Sequence, residues 1–363
     1  MIAYCPQKIF IDLSVESSPI TQTLLQKLPH IPVEYISESP KIIQDIRLSK
    51  DPVTQGKKIL WITKNTGKLI KRCGAATSSM HNMVCCNYFI LDFSFNCHFE
   101  CVYCFLQEYT NFPMMIVYAN IDDMFTSLSE LFQTVPSDHI RIGTGENADS
   151  LALDSLTQFS THLIPFFAEQ KKAFLELKTK SDQIDNLLTV DPKGKTVVAW
   201  SISPSTYANE YDLKTASVKE RFAAARKCQA AGYHIAFHLD PLIYEPTWKE
   251  DYKALVDQIY EQFDPIWISL GGLRFNANLK SIIQRRFPQT RLTTGEFVTT
   301  ADGKKRYLRE IREELYKTVS GWIQSHQTPT YLCMESQTVW KNTFGFIPEN
   351  ELVLEKSILR RKT

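Results

Sequence analysis

Three closely spaced cysteines constrain this chain more than any other feature of its sequence. Cys97, Cys101 and Cys104 have the spacing Cys-x3-Cys-x2-Cys and follow the strand-like run NYFILDF. Three thiolates on one loop can hold three irons of a [4Fe–4S] cluster and leave the fourth iron without a protein ligand. The spacing therefore predicts an open iron–sulfur cluster, whose free iron can bind a substrate or cofactor.

A structural zinc site is the alternative, completed by His98 or by a distant cysteine such as Cys73 or Cys228. Structural zinc sites usually have four ligands in paired Cys-x2-Cys units. The sequence has no second pair, because Cys85 and Cys86 are adjacent, so we favour the cluster. Free cysteines are often buried, and we interpret each of the other six as a buried, inert thiol. These six are Cys5, Cys73, Cys85, Cys86, Cys228 and Cys333.

The length and charge of the chain narrow its class. A chain of 363 residues that is 44% hydrophobic can bury a large core, so it needs no metal merely to stabilise a small fold. Its 41 basic and 40 acidic residues nearly cancel, which means that any nucleic-acid surface must be a local patch.

The N-terminus MIAYCPQKIFIDLS does not have the pattern of a secretory signal. No run approaches the roughly 18 apolar residues of a membrane span. We therefore expect a cytoplasmic protein without membrane association. The odd total of nine cysteines also argues against a disulfide framework.

Short apolar runs alternate with amphipathic helical patterns from about residue 88, which is typical of βα units. Helical patterns such as 218–232, with Gly232 as a left-handed cap, should cover the sheet. Six units are enough for most of a barrel, whose functional groups collect at the carboxyl ends of the strands. We predict an α/β lobe at 1–87, a barrel at 88–325 and a C-terminal tail at 326–363. The candidate strands are NYFILDF, HIRIGTG, AFLELKT, TVVAWSIS, HIAFHLDPLI and PIWISLGG.

The cysteine segment, with Tyr103 before its last cysteine, resembles the radical S-adenosylmethionine (SAM) superfamily. An ordered set of segments over about 88–322 resembles the spore photoproduct lyase family, in particular its relatives outside spore formers. This resemblance implies a partial (β/α)6 TIM-type barrel, [4Fe–4S] and SAM cofactors, a 5′-deoxyadenosyl radical, and lyase-like chemistry on a thymine dimer in DNA. The segments are CVYCFLQ, MMIVYANIDDM, RIGTGENADSLALD, LKTKSDQIDNLL, WSISP, AGYHIAFHLDPLIY and LRFNANLKSIIQRRFPQTRL.

The resemblance also implies residues of the SAM site. Tyr103 would lie against the cofactor, while Lys180 and Ser201 would contact its carboxylate, ribose or adenine side. A solvated lysine and an ordinary strand-end serine are the alternatives. In the segment GTGE, the Gly145 backbone and the Glu146 carboxylate would receive the cofactor's ammonium group. Its alternative is a tight turn with an exposed glutamate.

Other polar side chains near these strands have two interpretations each. Asn147 and Asp149 extend the site or cap a helix that begins near Ser150. His234 and His238 fall on one side of a predicted strand, where we favour a hydrogen-bonded core histidine over a functional one.

The resemblance breaks at two positions. In authentic spore photoproduct lyase, a cysteine donates a hydrogen atom to the product radical and a tyrosine helps to relay it. Our alignment places Glu146 and Phe105 there, and neither side chain is a good hydrogen-atom donor. Glu146 stays the candidate catalytic residue, and Cys228 or another thiol is a possible substitute donor. The substrate therefore stays open between a DNA lesion, RNA and a small molecule, with a non-catalytic metal-binding and nucleic-acid-binding protein as a further alternative.

A basic segment with interleaved aromatic residues predicts contact with DNA phosphates through Arg285, Arg286, Lys304, Lys305 and Arg306. The turn signal ADGKKRY predicts a hairpin or loop that presents the last three. The alternative is the solvated face of a C-terminal helix. We also expect a reductant such as flavodoxin or ferredoxin, and a monomer.

Overall fold

The computed structural model describes residues 4–348 except 74–82, 87 and 110, so residues 349–363 of the predicted tail lie outside the described residues. The strands of the described part are β1 (Lys8–Asp12), β2 (Val33–Ile36), β3 (Ile59–Thr63), β4 (Ile70–Arg72), β5 (Met83–Val84), β6 (Phe89–Leu91), β7 (Ser94–Phe95), β8 (Glu100–Cys101), β9 (Met115–Tyr118), β10 (Ile140–Gly143), β11 (Ala173–Thr179), β12 (Thr196–Ser201), β13 (Asp212–Leu213), β14 (His234–Leu242), β15 (Ile268–Gly272), β16 (Arg274–Phe275), β17 (Val298–Thr299), β18 (Lys305–Arg306), β19 (Thr330–Leu332) and β20 (Glu335–Ser336). The helices are α1 (Pro19–Lys27), α2 (Ile42–Leu48), α3 (Pro52–Gly56), α4 (Ile121–Thr134), α5 (Asp154–Thr157), α6 (Phe159–Ala168), α7 (Ser205–Tyr211), α8 (Val218–Ala230), α9 (Trp248–Tyr260), α10 (Leu279–Arg286), α11 (Arg309–Gln324) and α12 (Gln337–Phe344).

A curled half-barrel sheet forms the centre of the fold, in the order β4-β6-β10-β11-β12-β14-β15-β19. Its strands from β6 to β19 are parallel, and β4 is antiparallel at one edge. The strands read as nearly continuous apolar runs because both faces of a parallel sheet are covered. The predicted α/β partial barrel and its six strand segments are confirmed. Strand β19 was not predicted, since three residues are too few to show a pattern.

Helix α8 shows why the outer helices form where the sequence predicts them. Ser217 and Glu220 form a capping box at its start. Gly232 follows its end with φ of +88°, the left-handed conformation that the sequence predicts there. The apolar side of α8, including Cys228, is buried in the main core.

A second sheet, in the order β2-β1-β3-β9-β7, forms the N-terminal lobe. Strands β2, β1, β3 and β9 are parallel, and β7 is antiparallel. This sheet takes β7 and β9 from either side of the cysteine segment, while the long sheet takes β19 from the segment that we expected to be a tail. The division at residues 87 and 325 stays a prediction. No helix in the part of the chain that the structure describes is long and apolar enough to cross a membrane.

Candidate active site

The loop that carries Cys97, Cys101 and Cys104 is fixed at both ends by side-chain amides. At its start, Asn96 adopts φ of 73°, which asparagine tolerates better than most residues. The Asn96 amide donates to the Pro113 carbonyl at 2.9 Å, and its oxygen accepts from the Cys97 N–H at 2.9 Å.

At the other end, the Gln107 amide donates to the carbonyls of Val102 at 2.9 Å and Cys104 at 3.2 Å. Gln107 lies in the 3-10 helix Phe105–Glu108, directly after the last cysteine. The backbone of the loop is therefore held in shape by the chain itself.

The three thiols suit an iron–sulfur cluster. Burial raises the pKa of Cys97, Cys101 and Cys104, while the thiolate is the form that binds metal. Iron binding must therefore displace their protons. Among the described residues, no group of three or more His, Cys, Asp or Glu side chains is arranged to hold a single metal ion. A [4Fe–4S] cluster does not require such convergence, because its thiolates bind different irons.

His98, a candidate fourth ligand in the zinc alternative, lies among aromatic rings. Its ring centroid is 5.4 Å from that of Tyr4 and 4.6 Å from that of Phe99. Burial, with Lys57 and Lys214 nearby, lowers the pKa of His98 to about 4. The imidazole therefore stays neutral at physiological pH.

Asp212 is the charged residue that organises the surroundings of the cysteine loop. Strand β13 pairs with β8 and places Asp212 opposite Cys101. The Tyr103 hydroxyl donates to the Asp212 carboxylate, Lys180 Nζ lies 3.1 Å from it, and the Arg221 guanidinium lies 2.8 Å from it. Burial alone would raise the pKa of Asp212, but Lys180 and Arg221 outweigh burial and lower it. No short motif marks Asp212, so sequence reasoning missed it.

The predicted residues Lys180 and Ser201 both reach this network. Lys180 follows β11, and its N–H donates to the Asp149 carboxylate at 2.7 Å. Ser201 ends β12, and its carbonyl accepts from Arg221 at 2.9 Å. The structure therefore brings Tyr103, Lys180 and Ser201 together around one carboxylate at the carboxyl ends of two strands.

Asp149 also accepts from the N–H groups of Leu151 and Ala152, each at 2.9 Å. It therefore caps a turn that holds the end of β11. The expected helix near Ser150 is wrong, because α5 begins at Asp154.

Gly145 and Glu146 lie on the loop after β10, tied to the cysteine loop. A Cβ at Gly145 would lie 2.8 Å from the Lys178 Cβ, so only glycine allows this close approach to β11. The Glu146 carboxylate lies 3.8 Å from Lys71, and its Oε2 has no hydrogen-bond partner among the described residues. Burial raises the pKa of Glu146. Next to it, the Asn147 carbonyl accepts from the Asn96 N–H at 2.8 Å, which joins the two loops.

Three buried polar side chains on strands of the barrel are linked to one another by hydrogen bonds. His238 Nε2 lies 2.7 Å from Glu176, and its Nδ1 lies 2.5 Å from the Ser269 hydroxyl. The interpretation of His238 as a hydrogen-bonded core residue is confirmed. Burial opposes ionisation of Glu176, yet Arg141 and His238 lower its pKa to about 2.

Comparison with known proteins then decides the family. The family model for spore photoproduct lyase matches residues 4–328. The chain belongs to the spore photoproduct lyase family. The spore photoproduct lyase of Geobacillus sp. (strain Y412MC61) is 27% identical over 239 residues, covering 62% of this chain and 70% of that protein. That of Bacillus subtilis (strain 168) is 24% identical over 214 residues, covering 57% and 63%.

The fold is that of the solved spore photoproduct lyases. A mutant spore photoproduct lyase with bound AdoMet and dinucleoside spore photoproduct superposes with a TM-score of 0.76 at 22% identity, covering 91% of this chain and 99% of that one. As a member of this family, the chain is a radical SAM enzyme that uses a [4Fe–4S] cluster and SAM.

Two of the five predicted DNA contacts are wrong. Arg286 points inward, where it donates to Glu100 at 2.6 Å and to Gln107. Arg306 is 1% exposed and forms an ion pair with Asp302 at 2.6 Å. Buried cations need such partners, and sequence alone does not show burial.

The other three basic residues remain candidates for DNA contact. Arg285 is exposed, and Lys304 and Lys305 are half-buried. The predicted hairpin is confirmed, since β17 and β18 pair antiparallel and Gly303 turns between them with φ of +78°. Lys304 Nζ lies 3.8 Å from the Met334 sulfur.

The interpretation of the remaining cysteines as buried thiols is confirmed for Cys85, Cys86 and Cys228 and is wrong for Cys5, which is exposed; Cys73 and Cys333 are half-buried. The Cys85 thiol hydrogen-bonds both Cys73 and Cys86, and Cys333 lies close enough to act electrostatically on Cys73 and Cys85. Cys228 lies on the buried side of α8 and is fully buried in the main core, so it is not a substitute for the absent donor.

Proposed function

We propose that this chain repairs a pyrimidine-dimer-type lesion in DNA with a radical derived from SAM. The observation that carries the proposal is that Cys97, Cys101 and Cys104 lie on one fixed loop. This loop lies beside Asp212 and its partners, at the carboxyl ends of the barrel strands. In α/β barrels this end carries the active site. Membership of the spore photoproduct lyase family supports the substrate class.

Cys97, Cys101 and Cys104 hold the cluster in this proposal. When bound, the cluster and SAM supply a 5′-deoxyadenosyl radical by one-electron cleavage of SAM. Asp212 fixes the Lys180 ammonium and the Tyr103 ring beside the loop, so both are positioned to orient SAM. Fixing these groups before the cofactor binds reduces the entropy that binding must overcome.

The loop after β10 completes the SAM site. The close approach of Gly145 to β11 orients its backbone. The Glu146 carboxylate has one oxygen without a hydrogen bond among the described residues and would accept from the SAM ammonium group. Ser201, at the end of β12, lines the adenine side.

In this proposal DNA reaches the barrel opening along a surface that carries the exposed Arg285 and the half-buried Lys305. Arg285 and Lys305 contact phosphates, and the lesion leaves the base stack to enter the barrel. We further propose a cytoplasmic monomer that receives electrons from flavodoxin or ferredoxin. The nine free cysteines support a reducing compartment.

A second candidate keeps the radical chemistry and changes the substrate to RNA or a small molecule. Glu146 and Phe105, at the positions of the family's donor cysteine and relay tyrosine, favour it. A non-catalytic metal-binding protein is the third candidate.

The test begins with anaerobic reconstitution with iron and sulfide, followed by reductant and SAM. The parent is compared with a Cys97→Ala, Cys101→Ala, Cys104→Ala variant for 5′-deoxyadenosine. UV-irradiated DNA and a dinucleoside spore photoproduct are then added, and conversion of the lesion into two unlinked thymine nucleosides or nucleotides is measured. We expect both products from the parent and neither from the variant. 5′-Deoxyadenosine without lesion repair favours the second candidate, and a zinc-loaded protein that forms none favours the third.

A further inference from the structure

A second group of cysteines assembles from three separate segments of the chain. Strand β20 pairs antiparallel with β5, with Glu335 opposite Val84, so the same register continued by two residues places Cys333 opposite Cys86. On the other side, the Cys73 N–H donates to the Tyr88 carbonyl at 2.9 Å, which extends the pairing of β4 with β6. We call Cys73, Cys85, Cys86 and Cys333 the thiol cluster.

The thiols of this cluster form a chain of hydrogen bonds. The Cys85 thiol is hydrogen-bonded to both Cys73 and Cys86. Cys85 and Cys86 are 1% and 3% exposed, whereas Cys73 and Cys333 are half-buried. The chain therefore runs from the buried residues Cys85 and Cys86 to the half-buried residue Cys73.

Cys73, Cys85 and Cys333 stay protonated at neutral pH, because the pKa of each is raised. The hydrogen bond from Cys85 lowers the pKa of Cys73, but burial and the neighbouring thiols raise it overall. The pKa of Cys85 is raised well above its usual range by its hydrogen bond to Cys73 and by burial. Burial raises the pKa of Cys333 to about 11, although Arg274 opposes this. A thiol carries a transferable hydrogen atom and a thiolate does not.

The thiol cluster lies at the same end of the barrel as the cysteine loop. Cys333 directly follows β19, and its sulfur accepts from Arg274 at 3.4 Å. Glu146 is close enough to Cys73 to raise its pKa electrostatically. The half-buried end of the thiol chain, Cys73, therefore lies within electrostatic range of Glu146, which occupies the position of the family's donor cysteine.

We infer that Cys73 donates a hydrogen atom to the substrate radical, and that Cys85 and Cys86 replace the hydrogen atom in turn. The inference rests on the proposed radical function. In the first step the Cys73 S–H bond breaks, a C–H bond forms on the substrate, and the unpaired electron moves to sulfur. Cys73 then takes a hydrogen atom from Cys85, and Cys85 takes one from Cys86. One electron from the flavodoxin or ferredoxin and one solvent proton restore the last S–H bond.

The first test compares the reconstituted parent with Cys73→Ala, using SAM and a dinucleoside spore photoproduct in D2O. The parent should place solvent-derived deuterium in the repaired thymine, because thiol protons exchange. Cys73→Ala should still form 5′-deoxyadenosine, while repaired product and its deuterium content fall by about tenfold or more. The control Cys5→Ala removes an exposed thiol outside the cluster and should change neither. Unchanged repair and deuterium content in Cys73→Ala would overturn the inference and leave the proposed function standing, whereas a parent that makes no 5′-deoxyadenosine contradicts the proposed function itself.

A second variant, Cys85→Ala, tests the relay even if Cys73→Ala does not fold. Cys85→Ala keeps the donor and interrupts its supply, so the first turnover should match that of the parent and later turnovers should slow by about tenfold. Equal slowing of the first and later turnovers would contradict the relay.

A final test needs neither cofactor nor lesion. Stoichiometric diamide added to the cluster-free protein should form a Cys73–Cys85 disulfide, identified by peptide mass spectrometry, since their sulfurs are in contact. Failure to form it, or iron or zinc retained at these cysteines in the Cys97→Ala, Cys101→Ala, Cys104→Ala variant, would overturn the assignment as a hydrogen donor.

Discussion

The cysteine loop and the thiol cluster use the same side chain in two different ways. The loop places Cys97, Cys101 and Cys104 within eight residues and is held by the local amides of Asn96 and Gln107. The thiol cluster comes from three segments that only the pairing of β4 with β6 and of β5 with β20 brings together. Local spacing can be recognised in a sequence, whereas contacts between distant segments follow from the fold.

The charges around the two groups also differ. Lys57 and Lys180 lower the pKa of loop cysteines against the effect of burial. In the thiol cluster, hydrogen bonds between thiols and neighbouring cysteines act on Cys73 and Cys85 instead. Burial still outweighs these lysines, so the loop cysteines stay protonated until iron displaces their protons.

The largest expected effect is on stability, and it comes from replacing Asp212 beside the cysteine loop. Asp212→Asn leaves Lys180 and Arg221 buried without their anion, so we expect a loss of about 3–5 kcal/mol in the free energy of unfolding. Urea denaturation measures it, and iron retention should fall with it. The exposed Asp185→Asn control should stay within about 0.5 kcal/mol. If the two regions are independent, the Cys73–Cys85 disulfide still forms in Asp212→Asn under native conditions.

The protonation of the thiol cluster can be tested at Cys333. With a pKa of about 11, Cys333 stays protonated below that pH, so its thiolate fraction at pH 8 is about 100-fold below that of a thiol of pKa 9. Its alkylation by iodoacetamide, followed by peptide mass spectrometry, should rise through pH 11. A rise near pH 8 to 9 would show that burial does not control this thiol.

Arg286 tests what holds the cysteine loop from outside. Arg286→Ala removes charged hydrogen bonds to Glu100 and Gln107, so we expect a loss of about 2 kcal/mol in unfolding free energy. Arg285→Ala, at the exposed neighbour, should leave stability within about 0.5 kcal/mol. Equal stability of the two variants would show that Arg286 does not stabilise the cysteine loop more than its exposed neighbour does.

The smallest effect concerns DNA. Lys305→Gln and Arg285→Gln should each lower the slope of log binding constant against log salt by about 1, measured by fluorescence anisotropy. Arg226→Gln, on the exposed side of α8, is the matched control with no change expected. An unchanged slope in both test variants would move the DNA surface elsewhere.

Sequence reasoning was strongest where the information is local. It predicted the cysteine loop, six barrel strands, helix α8 and the hairpin that carries Lys305, because spacing, periodicity and turn residues lie within short windows. It missed β19, Asp212 and the thiol cluster, whose roles depend on partners far away in the chain. It misassigned Arg286 and Arg306, because the residue type alone does not show whether an arginine is buried or exposed.

Arg286 has a consequence for the order of assembly. Its side chain lies 3.1 Å from Thr54 in the N-terminal lobe and 2.6 Å from Glu100 in the cysteine loop, although it sits at the end of α10. A chain emerging from the ribosome makes the lobe and the loop first. The Arg286 contacts are therefore added late, and iron delivered to a partly synthesised chain meets a cysteine loop that is held by its own amides but not yet by Arg286.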